Sequence, residues 1–559
     1  MVFIGVWHVL TAAHADGEAL MPSGAQSVGR GGANIARPTD ATTLLQNPAG
    51  LVDVPSSGYY GIDTGYNQIC VHPYGYYGWG VYLPDDRANS TPNPDAHRSE
   101  FGDPASAAYG NRHLDTVCNS APFAGIPQLA FAVRLNDQLS IGFGLVNPVL
   151  VGGAQFGGSD GTIGVNDGTE SRPTPTRYEL IRQKASFALD PTAGVAYRVL
   201  PWLSLGLTLQ VTMASLNNYF VMALRAGTSP TDDMLARFHV SDYFMPALTF
   251  GVLAKPNAAL TFAGTFNWSD GFNGSGDMTV TTNMYHRNAV GSEALPLQND
   301  PVKLSSVRVH APWTATIAAR YAHPRAGHKS DPDLMQRDAW DVEVDGSYTA
   351  NRDMGPNRVE IANDFTLEFR RANAAPQMPL TVSQSGLAPL NVERHLRNVV
   401  TVRLGGSVNV VPGRLQLSAG SFLQTQGVES DYVSISSYGL MRVGLGLGVV
   451  VRLGSVDLLV SYAHIFQQDF QVAPPPHQPR EDATDDPKSG FDQRIYQDGN
   501  LSDQPHMDPK APATTAANGV ASSQQPAVFE SDSLRRRVIN QGNYVASFNV
   551  LSLGVVQHF

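Results

Sequence analysis

Residues 441–453 read MRVGLGLGVVVRL, and this stretch decides the fold because large apolar side chains occupy every second position. Arginine or glycine fills most of the positions between them. A period of two is that of a β-strand with two different faces. A half-buried strand of a soluble sandwich would show the same alternation, but such strands usually span about 5–6 residues. About 9–11 tilted residues are needed to cross a bilayer, so the length favours a transmembrane strand. The apolar side chains stand at Met441, Val443, Leu445, Leu447, Val449, Val451 and Leu453.

Similar segments come in pairs joined by short turns, which is the pattern of β-hairpins. With a first strand at 58–66 and a last at 544–559, they give about fourteen strands, an even number as in bacterial outer-membrane barrels. The sequence therefore predicts an all-β fold, a transmembrane antiparallel β-barrel with short periplasmic turns and long extracellular loops. The predicted pairs are 129–135 with 139–145, 193–199 with 203–211, 247–254 with 259–268, 313–321 with 340–350, 399–411 with 415–423, and 440–453 with 456–465. The predicted outer loops are 67–128, 146–192, 212–246, 269–312, 351–398, 424–439 and 466–543.

Composition agrees with a barrel. The chain has 559 residues, of which 42% are hydrophobic and only 16% charged, and it contains 53 glycines. No run reaches the roughly 18 consecutive apolar residues that a membrane-spanning helix needs. The formal net charge of −11 argues against a nucleic acid as partner.

The two ends of the chain indicate export to the outer membrane of a Gram-negative bacterium. Residues 1–15 form an apolar run ending in Ala13-His14-Ala15, a site of the kind that signal peptidase cuts, although no lysine or arginine precedes the run. Phe559 ends an alternating last segment, as in strands that the barrel assembly machinery recognises. Cys70 and Cys118 are the only cysteines, and we expect them to form one disulfide in the first outer loop.

Residues 24–51 read GAQSVGRGGANIARPTDATTLLQNPAGL, a Gly-rich and weakly charged stretch suited to packing inside a larger structure. Pro48 fixes its own φ and moves Asn47 out of the α region, and glycines allow close backbone approach. Gly29-Arg30-Gly31-Gly32-Ala33 and Asn47-Pro48-Ala49-Gly50-Leu51 together resemble the N-terminal hatch of the FadL/TodX family, outer-membrane transporters of fatty acids and other hydrophobic compounds. A turn-rich N-terminal linker is the alternative.

The resemblance implies a three-part chain: a signal peptide at 1–15, a hatch at 16–56 and a fourteen-stranded barrel at 57–559. It implies passive transport of long-chain fatty acids or aromatic hydrocarbons by surface capture, passage to the hatch and release through the barrel wall. We expect a monomer in contact with the lipid bilayer and lipopolysaccharide, with no cofactor, no metal and no enzymatic activity. The hatch and gate residues implied are Gly29, Arg30, Gly31, Gly32, Asn47, Pro48 and Ala49.

The connection after the fifth predicted strand reads MASLNNYFVMALRAG and carries apolar residues at helical spacing. A second short helix is predicted to start near Thr231. In the family this loop forms a hydrophobic groove that captures ligand. Packing of the helix on the barrel rim would explain the same apolar residues. The implied ligand-binding residues are Leu216, Tyr219, Phe220, Leu224, Met234, Leu235 and Phe238.

The third predicted strand runs into Asn147-Pro148, and proline there removes a ladder hydrogen bond. In the family this strand kinks and opens a gap in the wall. Gly142, Gly144 and Pro148 are therefore candidates for a lateral opening, although a strand that simply ends in a loop would show the same residues.

Two other functions compete with transport of hydrophobic molecules. A water-filled general porin should lack the hatch. An outer-membrane lipid hydrolase needs a placed nucleophile, and residues 157–161 match G-x-S-x-G only outside the strand–turn–helix context of a nucleophile elbow. Asp160 and Asp167 offer carboxylates that could bind Ca²⁺, but such loops are usually only solvated. The sequence leaves the ligand open among fatty acids, aromatic hydrocarbons and other lipids.

Overall fold

The wall of the molecule is a closed barrel of fourteen antiparallel strands, as predicted. The computed structural model describes residues 19–22, 24–78, 116–120, 123–145, 149–150, 154–165, 170–174, 176–177, 180–223, 233–282, 297–329, 331–362, 364–369, 380–384, 389–392, 394–430, 433, 435, 439–472 and 540–559. The wall strands are β1 (Ser57–Gly78), β2 (Phe123–Arg134), β3 (Leu139–Leu145), β4 (Pro191–Leu200), β5 (Leu203–Ala223), β6 (Asp233–Ala254), β7 (Leu260–Ser269), β8 (Thr314–Pro324), β9 (Asp338–Thr349), β10 (Val399–Val411), β11 (Leu415–Gln424), β12 (Arg442–Leu453), β13 (Val456–Gln467) and β14 (Asn540–His558).

Each wall strand pairs with the next along the chain, and the first closes on the last. Tyr59 of β1 is paired with Ala130 of β2 on one side and with Val556 of β14 on the other. Short turns such as 136–138 and 454–455 define what we call the inner end of the barrel, and the long connections define the outer end. Both chain ends of the wall therefore lie at the inner end.

The two faces of the wall are chemically different. In β12 buried and exposed residues alternate, and Leu445, Leu447 and Leu453 are 53%, 64% and 61% exposed. On the other face, Arg442 is only 2% exposed. Extended exposed apolar surfaces mark contact with a partner or a membrane, and an apolar band around a closed antiparallel barrel is the signature of a transmembrane β-barrel. No helix among the described residues is long and apolar enough to span a membrane.

Several strands extend further at the outer end than predicted. The expected loop at 212–246 is wrong, because β5 and β6 pair continuously from Leu203 with Ala254 to Ala223 with Asp233, apart from one irregularity between Thr212 and Ala214. Further outer strands continue the sheet beyond the membrane band. They include Arg182–Leu189, Phe272–Thr282, Val302–Val309 and Asn357–Ile361.

Cys70 and Cys118 form a disulfide, the pairing predicted from the sequence. Cys70 lies in β1, and Cys118 lies in a two-residue strand, Val117–Cys118, that pairs with β1 at this position. The bond therefore ties the end of the connection before β2 to the outer half of the first wall strand.

Candidate functional site

Residues 24–54, which we call the N-terminal segment, lie inside the barrel and contact its inner surface on all sides. The segment contains two short helices, α1 (Ala25–Gly29) and α2 (Thr43–Gln46), and a 3₁₀ turn (Pro48–Asp53). It is buried almost throughout. Its 3₁₀ turn packs on β4, β5 and β6, while α1 packs on β11, β12 and β13 on the opposite side of the barrel. The lumen at this level is therefore filled by the chain's own N-terminal residues.

Glycines of the wall provide the surface on which the segment rests. A Cβ on Gly420 would lie 2.0 Å from the backbone oxygen of Arg30, and a Cβ on Gly251 would lie 2.2 Å from Oδ1 of Asn47. A Cβ atom does not fit at those distances, so its absence lets the wall backbone touch the backbone of Arg30 and the side chain of Asn47. Glycines with equally short approaches to the segment are Gly206, Gly405 and Gly446.

The segment itself uses glycine where its backbone turns. Gly31 and Gly32 have φ values of 64° and 87°, a region that L side chains rarely adopt. A Cβ on Gly31 would also lie 2.5 Å from the backbone nitrogen of Ser421 in β11. The Gly29–Gly32 stretch thus makes a sharp bend directly against the wall.

A buried ion-pair network fixes the segment to β9. Nη1 of Arg30 lies 2.8 Å from Oδ1 of Asp341, and Nη2 lies 3.3 Å from Oε2 of Glu343. Nε of Arg37 lies 3.0 Å from Oδ2 of Asp341, and the other Glu343 oxygen accepts a hydrogen bond from the Ala36 backbone at 2.8 Å. The four ionised side chains are at most 1% exposed. Two arginines of the segment therefore bring positive charge to two buried carboxylates of the wall.

Burial changes the proton affinity of the segment's ionisable groups. It lowers the pKa of Arg37 to about 10, while the neighbouring Asp341 carboxylate acts in the opposite direction. The guanidinium therefore stays charged at neutral pH. Burial also raises the pKa of Asp40, which hydrogen bonds from the backbone and hydroxyl of Thr42 oppose.

We expect Arg30→Met to loosen the N-terminal segment, because it leaves Asp341 and Glu343 with less positive charge in a buried site. Removing one partner of a buried ion pair typically costs about 3–5 kcal/mol. Amide hydrogen exchange of residues 24–54 in detergent measures the effect, and exchange should accelerate over the whole segment. Arg198→Met is the matched control, since the Arg198–Asp53 pair is partly exposed and worth about 0–1 kcal/mol. Equal exchange in wild type and Arg30→Met would show that the network does not hold the segment.

Asn47 links the segment to the wall and to its own turn. Its Nδ2 donates to the backbone oxygens of Ile35 at 2.9 Å and of Val252 in β6 at 3.2 Å. Its Oδ1 accepts from the backbone nitrogen of Ala49 at 3.2 Å, which caps the 3₁₀ turn that Pro48 begins. Asn47 has φ −156° and ψ 95°, the extended conformation that a following proline favours.

From the inner side, the turn between β8 and β9 packs beneath the segment. It contains a one-turn helix, α3 (Leu334–Arg337), whose Met335 is 4% exposed and packs with Leu44, Leu51 and Val52. Asp333 at its start forms an ion pair with Arg452 at the end of β12. This turn covers part of the inner mouth.

On the outer side, the segment forms the floor of a cavity of about 370 Å³. Gly31, Gly32, Ile35, Leu45 and Gln46 supply that floor, and inward-facing residues of β5 to β11 supply the walls. Met245 and Phe272 line the cavity and also belong to the apolar core above it. Sequence inspection missed this cavity, because its residues are drawn from seven strands and carry no common motif.

The predicted ligand-binding residues lie above the cavity, and the helices predicted for them are wrong. Leu216, Tyr219 and Phe220 are in β5, and Met234, Leu235 and Phe238 are in β6. Leu216, Phe220, Met234 and Phe238 are 0–4% exposed and pack together in one core with residues of the outer strands. In this structure they contact each other and not the cavity. Leu224, Thr231 and Asp232 lie outside the described residues.

We expect Phe238→Ala to destabilise the outer core by about 3–5 kcal/mol, as for other buried phenylalanines. The midpoint of denaturant unfolding measures the change. Phe244→Ala on the same strand is the control, because Phe244 is 69% exposed and its loss leaves no cavity. A variant with unchanged stability but weakened capture of a hydrophobic ligand would instead assign Phe238 to ligand binding.

The outer end of β3 lies next to the segment. β3 ends at Leu145, which pairs with Leu129 of β2. A Cβ on Gly142 would lie 3.1 Å from Cδ1 of Leu44 in the segment, and one on Gly144 would lie 2.2 Å from the backbone oxygen of Leu129. Pro148 lies outside the described residues. The Gly142 contact thus places the segment directly against β3.

These features define a class: a transmembrane β-barrel whose lumen is occupied by its own N-terminal segment. Solved structures share the fold. A FadL homologue from Pseudomonas aeruginosa has a TM-score of 0.58 and 14% identity over 96% of this chain and 98% of that chain. The toluene transporter TodX from Pseudomonas putida has a TM-score of 0.54 and 12% identity over 97% of this chain and 99% of that chain. No protein-family model and no curated protein sequence matches the chain.

Proposed function

We propose that the protein passes hydrophobic small molecules across the bacterial outer membrane without energy input, and that the N-terminal segment is its gate. The observation that carries this proposal is the filled lumen: the segment contacts the wall on opposite sides of the barrel and at the same time forms the floor of a cavity. The solved structure of TodX, described as a toluene transporter, shares the fold and supports the same function here. Long-chain fatty acids and aromatic hydrocarbons are the candidate cargoes.

In the proposed cycle, a molecule enters the cavity from the outer end and comes to rest on the floor made by the segment. Movement of the segment around Asn47 then opens the way onward. The proposed exit leads sideways into the bilayer through the wall at the end of β3, beside Gly142 and Gly144, where the resemblance to the FadL/TodX family implies a lateral opening. Binding and release are the only chemistry required.

The two competing functions have less support. A general porin needs a water-filled lumen, whereas residues 24–54 fill this one. For the hydrolase, residues 157–161 lead by a turn into a strand, Thr162–Val165, and not into the helix of a nucleophile elbow. Asp160 there accepts hydrogen bonds from Thr162, which stabilises the turn.

The double variant Asn47→Ala with Pro48→Ala tests the gate. It removes three hydrogen bonds of the Asn47 side chain, each worth about 0.5–1.5 kcal/mol, so opening becomes easier while the lipid-facing strands are untouched. We expect normal assembly and about tenfold faster uptake of radiolabelled toluene into proteoliposomes, with unchanged permeability to small hydrophilic solutes. Asn136→Ala, in an exposed inner turn, is the control. Uptake equal to wild type in the double variant would argue that this turn is not part of the gate.

A further inference from the structure

The cavity above the N-terminal segment is lined by hydrogen-bonding side chains to an extent that a site for a pure hydrocarbon does not need. Six consecutive strands, β6 to β11, each contribute at least one neutral polar side chain to its wall. Examples, one from each strand, are Thr249, Thr265, Thr316, Ser347, Thr401 and Gln424. Some of these side chains bond to one another within the wall, as Thr249 does to Asn267 and Thr316 to Ser347, and their hydroxyl oxygens can accept a further hydrogen bond from a ligand.

One carboxylate in the cavity lacks a hydrogen-bond donor. Asp345 of β9 lines the cavity and is 1% exposed, and neither of its oxygens accepts a hydrogen bond from the described residues. The carboxyl group of Glu343 on the same strand lies within hydrogen-bonding reach of it, and Arg403 of β10 attracts it electrostatically, but the Arg403 Nη1 donates to Oγ of Ser347 at 2.5 Å. A buried carboxyl group is stabilised by donors that point at it. The Asp345 carboxyl group therefore suits a ligand that brings a donor.

The charges around the cavity disfavour an anionic ligand. Its lining contains two carboxylates, Asp190 and Asp345, and one guanidinium, Arg403. A ligand carboxylate would add a further negative charge beside them, and like charges in a buried site repel. A neutral hydroxyl group adds no charge, donates one hydrogen bond and accepts others from the threonine hydroxyls.

We propose that this cavity selects apolar molecules that carry a neutral hydroxyl group, and that Asp345 is the residue that accepts the hydroxyl hydrogen bond. This inference rests on the proposed transport function and specifies the class of its cargo. It distinguishes alcohols and phenols from hydrocarbons and from fatty-acid anions.

Three probes with the same carbon skeleton test the proposal: benzyl alcohol, toluene and benzoate, titrated at pH 8 into the purified full-length protein and into Asp345→Leu. We expect Asp345→Leu to bind benzyl alcohol at least tenfold more weakly, because the acceptor of the hydroxyl hydrogen bond is lost. Toluene affinity should stay within twofold. Benzoate should bind at least tenfold more tightly, since Arg403 then faces the cavity without its acidic neighbour. Unchanged benzyl alcohol affinity, or an equal loss for toluene, would overturn the proposal.

Two further measurements keep the result interpretable. Asp345→Asn preserves the side-chain volume and should show the same direction of change for benzoate, so it replaces the leucine variant if that variant does not fold. Uptake of the three probes into proteoliposomes distinguishes a failure of the transport function from a failure of the proposed cargo class. If the wild-type protein accelerates uptake of none of them, the transport function itself fails; if it accelerates uptake but Asp345 does not affect selectivity, only the cargo class is wrong.

Discussion

Deleting residues 24–51 is expected to convert the closed barrel into an open pore. Planar bilayers containing wild-type protein should show little conductance, whereas the deletion should give stable ion-conducting steps. The reason is geometric: these residues fill the lumen from β5 and β6 on one side to β12 and β13 on the other. The wall should survive, because its strands pair with one another around a closed ring.

The pore left by the deletion should also prefer cations to anions. Asp63, Asp341 and Glu343 now bond to Gly24, Arg30, Ala36 and Arg37 of the segment. Without the segment these carboxylates face water in the lumen, so we expect cations to permeate more readily than anions. Reversal potentials in a salt gradient measure this preference. A deletion variant that assembles but conducts no more than wild type would show that the segment does not close the barrel.

The barrel could be predicted because its strands obey a local rule. Alternation of apolar and polar residues over about ten positions, as at 441–453, depends only on which side of each strand meets lipid. The turns that join the two strands of a predicted hairpin, such as 412–414 and 454–455, are short and contain glycine. Each signal lies within a few residues of sequence, so the fourteen wall strands were found in the correct order.

The prediction of helices after residue 213 is wrong, because the same apolar residues fit both the period of a helix and the period of a strand. Leu216 and Phe220 are four positions apart, which suits a helix face, but they also lie on one side of a strand. The better signal is in the following stretch, where the apolar residues Ala236, Phe238 and Val240 are separated by Arg237 and His239. The three apolar residues are buried in the outer core. The residues form strands because β5 and β6 pair along their whole length.

The site was only partly predictable. The bend at Gly29–Gly32 and the turn at Asn47–Pro48 show in the sequence, because each depends on the backbone preferences of glycine or proline. The residues of the wall that contact them cannot be identified from the sequence. Arg30 and Glu343 are separated by 313 positions, and nothing in either neighbourhood identifies the other. The sequence also does not show which of the 53 glycines contact the segment, because Gly420 and Gly251 come against it only in the folded barrel.

The central claim is that the N-terminal segment must move for a hydrophobic molecule to pass. Leu44 and Gly194 offer a way to prevent that movement, because a Cβ on Gly194 would lie 2.5 Å from Cδ1 of Leu44. Cysteines at both positions, Leu44→Cys and Gly194→Cys, would join the segment to β4 when oxidised. Each single cysteine variant is a control, and both contain the native Cys70–Cys118 disulfide.

The decisive measurement is the initial rate of toluene uptake into proteoliposomes that contain the double-cysteine variant, before and after reduction. The account predicts that the oxidised protein takes up toluene at the rate of protein-free vesicles, that reduction restores the wild-type rate, and that the single variants are active under both conditions. Uptake at the wild-type rate by fully cross-linked protein would contradict the account, because the molecule would then cross while the segment stays in place.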